Sequence, residues 1–307
     1  MPASMASNRA RKRGFARRQQ IPLLITVVGV VNTSIGLVCW VCWRITGDGN
    51  WATAFFRYPN AGLTVAMGMV EFACCSYAWR QFERADSLYR AWFLLTLASG
   101  AHLTGRLLSQ VVFQAASDRH TSGIVQQAGI LIGGPLQMSL LLGGLACVAL
   151  TCWRSGLLTR LSLPDIPLIT LAGASTLHTM YEIWLFIDAG KPITWAQALA
   201  WPSDPLVVML LLLAIVIRRS VASMGHGMIA SCWRSYVIAV SLIALGDAGL
   251  WLMRTPYIPW HLTTLSWYVW FLADAAFALG PAHQVVALER ARALREVLSV
   301  RKRITAA

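Results

Sequence analysis

The sequence has 307 residues, of which 57% are hydrophobic and 13% are charged, and its formal net charge is +13. A chain this apolar exceeds what a soluble domain of the same length carries, so a soluble globular protein is excluded. The cationic excess is concentrated in the tails and in short links between apolar segments. Basic residues in this distribution indicate which loops of a membrane protein stay in the cytoplasm. They do not indicate a nucleic-acid site, and we expect no specific nucleic-acid binding.

Residues 1–20 form a basic tail, and the apolar stretch that follows predicts a retained signal-anchor helix rather than a cleaved signal peptide. Further apolar segments of membrane-spanning length follow along the chain. The predicted membrane helices cover residues 21–43, 58–79, 89–113, 124–150, 166–188, 201–218, 233–253 and 261–283. We therefore predict an all-α polytopic membrane protein with eight transmembrane helices embedded in a lipid bilayer.

The distribution of arginine predicts the orientation of these helices. Arg-rich links lie at 80–90, 154–160 and 218–234, whereas the alternate links are poorer in arginine. Because loops rich in Lys and Arg remain in the cytoplasm, both termini should be cytoplasmic in a cell (inner) membrane. An odd number of helices would break this alternation.

The first predicted helix is repeated halfway along the chain. With one gap, the Ile-Pro-Leu at 21–23 matches the one at 166–168, and Gly29 and Trp40 match Gly173 and Trp184. These matches predict a tandem duplication of a four-helix unit, with one copy at 21–155, the second at 166–290 and a basic tail at 291–307. Because four is even, the two copies should be parallel repeats related by an axis near the membrane normal.

Strongly polar side chains recur at one depth in seven of the eight predicted helices. Counting from each helix start places them about 16–20 Å into the bilayer, near its centre. They are Asn32, Glu71, His102, Gln137, His178, Asp247 and Asp274. Interhelical hydrogen bonds explain the two amides, but ionisable groups at this depth are costly and commonly functional. We therefore interpret the ionisable members as a ligand site or ion relay.

Two pairs of these groups share a helix face. His102 and Arg106 are four residues apart, as are His178 and Glu182. Arg106 and Glu182 are both displaced towards the outer side, so we predict that they meet as a buried ion pair and join the candidate site. If their helices are neighbours, His102 and His178 instead have the depth of axial ligands to a b-type haem.

The end of the chain is predicted to continue the last helix into the cytoplasm. Residues 284–302 combine an irregular apolar stripe with Arg and Glu, which favours a partner helix, a second copy of the chain or the membrane surface. The sequence contains no recognisable nucleophile motif, and we do not expect an enzyme. The identity of any cofactor stays open.

The second half of the sequence resembles the multi-pass membrane input regions of bacterial diguanylate cyclases and histidine kinases. The resemblance is carried by "WPSDPLVVMLLLLAIVIRR", "ALGDAGLWLM" and "WYVWFLADAAFALGPAHQ" and covers about residues 195–285. It implies a sensory membrane module. No output domain follows in this sequence, so the resemblance implies signalling through a partner.

Three functional hypotheses follow from these patterns. The first is a membrane sensor or ligand-binding module that passes a helix movement to a partner through residues 284–302. The second is a proton- or cation-coupled secondary transporter that uses the midplane carboxylates and histidines. The third is a haem- or pigment-binding subunit of a membrane complex, with His102 and His178 as ligands.

Overall fold

The structure, a computed structural model, describes residues 20–47, 55, 59–112, 119–157, 163, 166–190, 192, 201, 203–222, 227–253 and 263–305. Within these ranges the chain is helical and contains no strand, which confirms the all-α prediction. The basic tail before residue 20, most of the predicted external links, and Trp195 and Trp260 lie outside them.

The helices of the described part begin and end close to the predicted positions. They are α1 (Ile21–Thr46), α2 (Ala61–Trp79), α3 (Tyr89–Arg106), α4 (Arg119–Arg154), α5 (Ile166–Asp188), α6 (Ser203–Ala222), α7 (Met228–Met253) and α8 (Thr263–Thr305). Helix α4 has three consecutive parts, namely the α-helical Arg119–Leu131, a π-helical turn Ile132–Leu136 and the α-helical Gln137–Arg154. A second π-helical stretch, Leu107–Val112, extends α3. Long uninterrupted apolar sequence explains this pattern, because helices satisfy their backbone groups internally in lipid.

Six of these helices, within the described residues, are long and apolar enough to cross a membrane: α1, α2, α4, α6, α7 and α8. The chain therefore has the character of a multi-pass membrane protein. The predicted helices α3 and α5 are not among the six. In α3, Arg90, His102 and Arg106 fall within 18 residues and lower its hydropathy.

Six helices form a closed ring of neighbours. In order around the ring they are α2, α3, α4, α6, α7 and α8, and α8 contacts α2 again. The other two helices pack outside the ring, with α1 mainly against α8 and α5 mainly against α6. Most side chains of α1 and α5 that the structure describes are therefore exposed on the outer surface.

Helix α8 is the most buried of the candidate membrane spans. Its stretch 273–282 is rich in alanine, and small side chains let neighbouring helices approach closely. A Cβ placed on Gly29 of α1 would lie 3.1 Å from the Cβ of Ala275, and one on Gly36 would overlap the ring of Tyr268. Glycines on α1 thus allow it to pack directly on α8.

Helices α3 and α4 cross at glycines that lie in or next to their π-helical segments. A Cβ on Gly133 would lie 3.1 Å from the Cα of Gly105, and one on Gly129 would lie 2.8 Å from the backbone nitrogen of Ser109. Only glycine permits two backbones to come this close. The crossing lies directly beside Arg106, the last residue of the α-helical part of α3.

Candidate functional site

Four charged or titratable side chains meet between α2, α3 and α8, and we call them the buried cluster: Glu71, His102, Arg106 and Asp274. His102 Nδ1 lies 2.8 Å from Glu71 Oε2, and His102 Nε2 lies 3.1 Å from Asp274 Oδ1. Arg106 Nη2 donates to the same Asp274 oxygen at 2.9 Å. The imidazole therefore lies between two carboxylates, and the guanidinium joins it to one of them.

The burial of these groups is nearly complete except at the arginine. Glu71, His102 and Asp274 are each at most 4% exposed, whereas the Arg106 side chain is 23% exposed. The ring of Phe277 packs edge-on against His102, with ring centroids 6.5 Å apart, and closes the apolar side of the cluster. Three ionisable groups are accepted here because each has an oppositely charged or hydrogen-bonding partner.

The sequence prediction of a polar layer is matched in part by this geometry. Counting depth along each helix placed Glu71, His102 and Asp274 at one level, and the structure brings these three into contact. The prediction that Arg106 forms an ion pair with Glu182 is wrong. Arg106 pairs with Asp274 of α8 rather than with Glu182 of α5, because α5 packs outside the ring.

The second predicted pair lies away from the buried cluster. His178 Nε2 and Glu182 Oε1 are 4.0 Å apart along α5, and their side chains are 48% and 45% exposed. In addition, both ring nitrogens of His102 already have partners within the cluster. The geometry therefore does not place His102 and His178 on either side of a haem. The described residues also contain no group of three or more His, Cys, Asp or Glu side chains arranged around a metal ion.

The remaining members of the predicted layer have other surroundings. Asn32 Nδ2 donates to Asn60 Oδ1 at 2.8 Å, which links α1 to the start of α2. Gln137 is buried at the start of the last part of α4, and Asp247 is half-buried on α7. The structure thus divides the predicted layer into an ionic cluster and separate polar contacts.

Sequence reasoning missed a second polar contact between α2 and α8. Tyr77 donates its hydroxyl proton to Glu289 Oε1, and Arg292 Nη1 lies 3.3 Å from the same hydroxyl. Arg292 also lies 3.9 Å from Glu289. Nothing in the sequence connects a tyrosine in one apolar segment with a glutamate more than 200 residues later. The glycine crossing did have a signal, because Gly129 and Gly133 form a G-x-x-x-G pattern.

Tryptophans concentrate towards the predicted external ends of the helices in the second half of the chain, and Trp184, Trp267 and Trp270 lie on two different helices, α5 and α8. Trp184 is exposed on α5 and stacks on Tyr181, with ring centroids 6.0 Å apart. Trp267 and Trp270 pack edge-on at 5.1 Å on α8. This spread suits interfacial anchoring, which is typical of tryptophan in membrane proteins.

Comparison with known protein families, with curated proteins and with solved structures finds no match to this chain. Function is therefore argued from the buried cluster itself. Chemically, the cluster can bind and release a proton, because it contains an imidazole with a carboxylate on each side. It can also hold α2, α3 and α8 in one arrangement, since its side chains come from all three helices.

Proposed function

We propose that the protein is a multi-pass membrane sensor-like module in which the buried cluster responds to a ligand and α8 passes the response to a cytoplasmic partner. One observation carries this proposal. Asp274 of the cluster and the exposed residues 290–295 belong to the same helix, Thr263–Thr305, which continues through Pro281 between them. A displacement of α8 at the cluster is therefore also a displacement of its far end.

The second contact between α2 and α8 supports this route. Tyr77 and Glu289 join the two helices again, 15 residues beyond Asp274 on α8. At 1.5 Å per residue, that separation corresponds to about 22 Å along the helix. Beyond this contact the side chains of Leu294 and Leu298 are exposed. Such an apolar stripe on a protruding helix suits a partner helix, which we propose to be the signalling partner.

We further propose the eight-span topology with two parallel four-helix repeats and cytoplasmic termini in the inner membrane. The order of helices around the ring supports the duplication. If α2 is exchanged with α6, α3 with α7 and α4 with α8, every helix keeps the same neighbours. The peripheral helices depart from this symmetry. If the two repeats packed alike throughout, α5 would pack on α4 just as α1 packs on α8. Instead, α5 packs mainly on α6.

Reporter fusions test this topology. Fusions after Arg84, Arg160 and Arg219 should read cytoplasmic, whereas fusions after Gly49, Ser122 and Gly190 should read external. A cytoplasmic signal after Gly190, or an external one after Arg219, would contradict the eight-span arrangement. The first outcome would point instead to α5 lying outside the set of spanning helices.

The coupling between the cluster and the end of α8 is tested by distance measurement. Spin labels attached through ketone-bearing amino acids at positions 157 and 298 avoid the native cysteines and report on the cytoplasmic ends of α4 and α8. Asp274→Asn should shift or broaden the distance distribution by several ångströms, because it removes a charge that fixes α8 to α3. Glu182→Gln is the matched control, since it removes a carboxylate of α5, and it should leave the distribution unchanged. Identical distributions in both variants would contradict the sensor proposal.

A proton- or cation-coupled transporter is the second candidate, and the π-helical segments beside the cluster favour it. In Leu107–Val112 and Ile132–Leu136 the regular α-helical hydrogen bonding is interrupted. Such interruptions are frequent at functional sites and in transport paths. Proteoliposomes that carry a pH-sensitive dye separate the two candidates. Proton flux lost in Asp274→Asn would favour transport, and the absence of flux together with an intact distance change would favour sensing.

A further inference from the structure

The ring nitrogen Nε2 of His102 faces two partners with opposite requirements. Arg106 Nε donates towards it at 3.2 Å, and Asp274 Oδ1 accepts from it at 3.1 Å. An imidazole nitrogen accepts a hydrogen bond when it carries a lone pair and donates one when it carries a proton, so it cannot serve both partners at once. The other nitrogen has one role, because Nδ1 donates to the Glu71 carboxylate at 2.8 Å.

The two states of His102 differ in the net charge of the buried cluster. With a neutral imidazole, the charges of Glu71, Asp274 and Arg106 leave a net charge of −1 within the cluster. With an imidazolium the cluster is neutral. An uncompensated charge near the centre of a membrane protein is costly, so proton uptake relieves a penalty that the surrounding apolar side chains impose.

The groups that face His102 come from every helix that forms its surroundings. Glu71 lies on α2, Arg106 on α3 and Asp274 on α8, and these are the charged groups that act on the imidazole or on its carboxylate partner. Three further titratable groups interact electrostatically with Glu71, namely Cys74 and Cys75 of α2 and Tyr236 of α7. The ring of Tyr236 packs against Phe277, with ring centroids 6.0 Å apart.

We propose that the ligand of the buried cluster is a proton, which binds at His102 Nε2 and exchanges the Arg106 hydrogen bond for one to Asp274. This inference rests on the proposed function and names its ligand. The proton comes from water. On binding, an N–H bond forms at Nε2, the hydrogen bond from Arg106 Nε breaks, and Nε2–H donates to Asp274 Oδ1. Release reverses each step and returns the proton to water.

The geometry gives the proton a way in and gives the event a mechanical consequence. Arg106 is the partly exposed member of the cluster, so the side of the imidazole that it covers is the side nearest to the protein surface, through which the proton would reach Nε2. Its backbone leads directly into the π-helical stretch of α3. Proton binding would release Arg106 Nε from the ring on α3 and tighten the ring onto Asp274 of α8. Proton binding therefore exchanges a hydrogen bond within α3, between Arg106 and His102, for one between α3 and α8, from His102 to Asp274.

Nuclear magnetic resonance of histidine labelled with ¹⁵N and ¹³C in the full-length protein tests the assignment. His102→Gln identifies the signal by its disappearance. In the wild type, the His102 signal should convert between imidazole and imidazolium as the pH is changed. At the pH where the wild type holds equal amounts of both forms, Asp274→Asn should lower the imidazolium-to-imidazole ratio about tenfold or more, because it removes the adjacent negative charge. Arg106→Gln should raise that ratio, and His178→Gln should leave it unchanged.

The outcomes separate this inference from the sensor proposal. A His102 signal that stays in one form from pH 5 to pH 11 in the wild type, in Asp274→Asn and in Arg106→Gln would overturn the proton assignment. If His102 titrates but the spin-label distance between positions 157 and 298 does not follow the same pH curve, the proton site stands and the sensor proposal fails. If the distance responds to Asp274→Asn while His102 never titrates, the sensor proposal stands with a ligand other than a proton.

Discussion

The ion pair between Arg106 and Asp274 should be strongly cooperative, because each charge is accepted in the protein interior through the other. Arg106→Gln leaves the Asp274 carboxylate without its guanidinium, and Asp274→Asn leaves Arg106 with a neutral acceptor. Removing one member of a buried pair typically destabilises a protein by about 3–5 kcal/mol. Because the Arg106 side chain is 23% exposed, we expect the lower end of that range, about 3 kcal/mol for each single variant.

The double variant Arg106→Gln with Asp274→Asn should be less stable than the wild type by about 3 kcal/mol rather than about 6. Asn keeps the shape of Asp, Gln is shorter than Arg, and the two amides together leave no charge of the pair without its partner. The remaining loss arises because His102 loses the charged acceptor at Nε2. A coupling energy of about 3 kcal/mol lies at the upper end of what contacting residues show.

Thermal unfolding in one detergent, followed by intrinsic fluorescence of the 14 tryptophans at a fixed scan rate, measures this coupling. For a chain of this size about 2 °C corresponds to 1 kcal/mol, so each single variant and the double variant should all lose about 6 °C in apparent Tm. Glu182→Gln disrupts an exposed pair at 4.0 Å and should change Tm by less than 1 °C. A double variant that loses about 12 °C, or single variants that behave as the wild type, would refute the reasoning.

Two other contacts give predictions by the same measurement. Gly105→Ala should lower Tm by about 2–6 °C, because its Cβ would overlap the backbone of Gly133. Gly134→Ala is the matched control, since a Cβ there meets no atom within 4 Å, and a comparable loss in that variant would contradict the crossing. Asn32→Ala and Asn60→Ala should each lose about 1–2 kcal/mol, and the double variant should lose no more than the worse single variant. Fully additive losses would show that the two amides do not act on each other.

The helices and the depth of the buried groups could be predicted from the sequence, because both depend only on the number of residues along a single apolar segment. An apolar segment of bilayer length must be helical in lipid, and 1.5 Å per residue converts position into depth. This is why the sequence alone places Glu71, His102 and Asp274 at one depth. The same count could not choose between Glu182 and Asp274 as the partner of Arg106, because depth says nothing about which helices are neighbours.

Which helices are neighbours depends on close packing between them, and few sequence patterns predict that packing. Gly129 and Gly133 show the spacing of a tight crossing, but the π-helical turn between α-helical parts of α4 has no comparable signal. The Tyr77–Glu289 contact joins two residues of ordinary type at remote positions. Such contacts follow from the order of helices around the ring, and that order is a property of the whole fold.

The position of α1 against α8 has a consequence for how the protein is made. Roughly 230 residues separate the end of α1 at Thr46 from Ala275, the residue of α8 that approaches Gly29. At about 5–20 residues per second, synthesis of that interval takes on the order of 10–50 s. During that time α1 must remain in the bilayer without the helix it will pack on, which its high mean hydropathy over 26 residues permits.

The same delay acts less favourably on α3. If α3 spans the bilayer as proposed, Arg106 enters the membrane long before Asp274 is made, and α3 is too polar to be held there by hydropathy alone. The nascent chain therefore passes through a stage in which α3 depends on α2 and on the insertion machinery. The ion pair of Arg106 forms only when α8 brings in the carboxylate of Asp274.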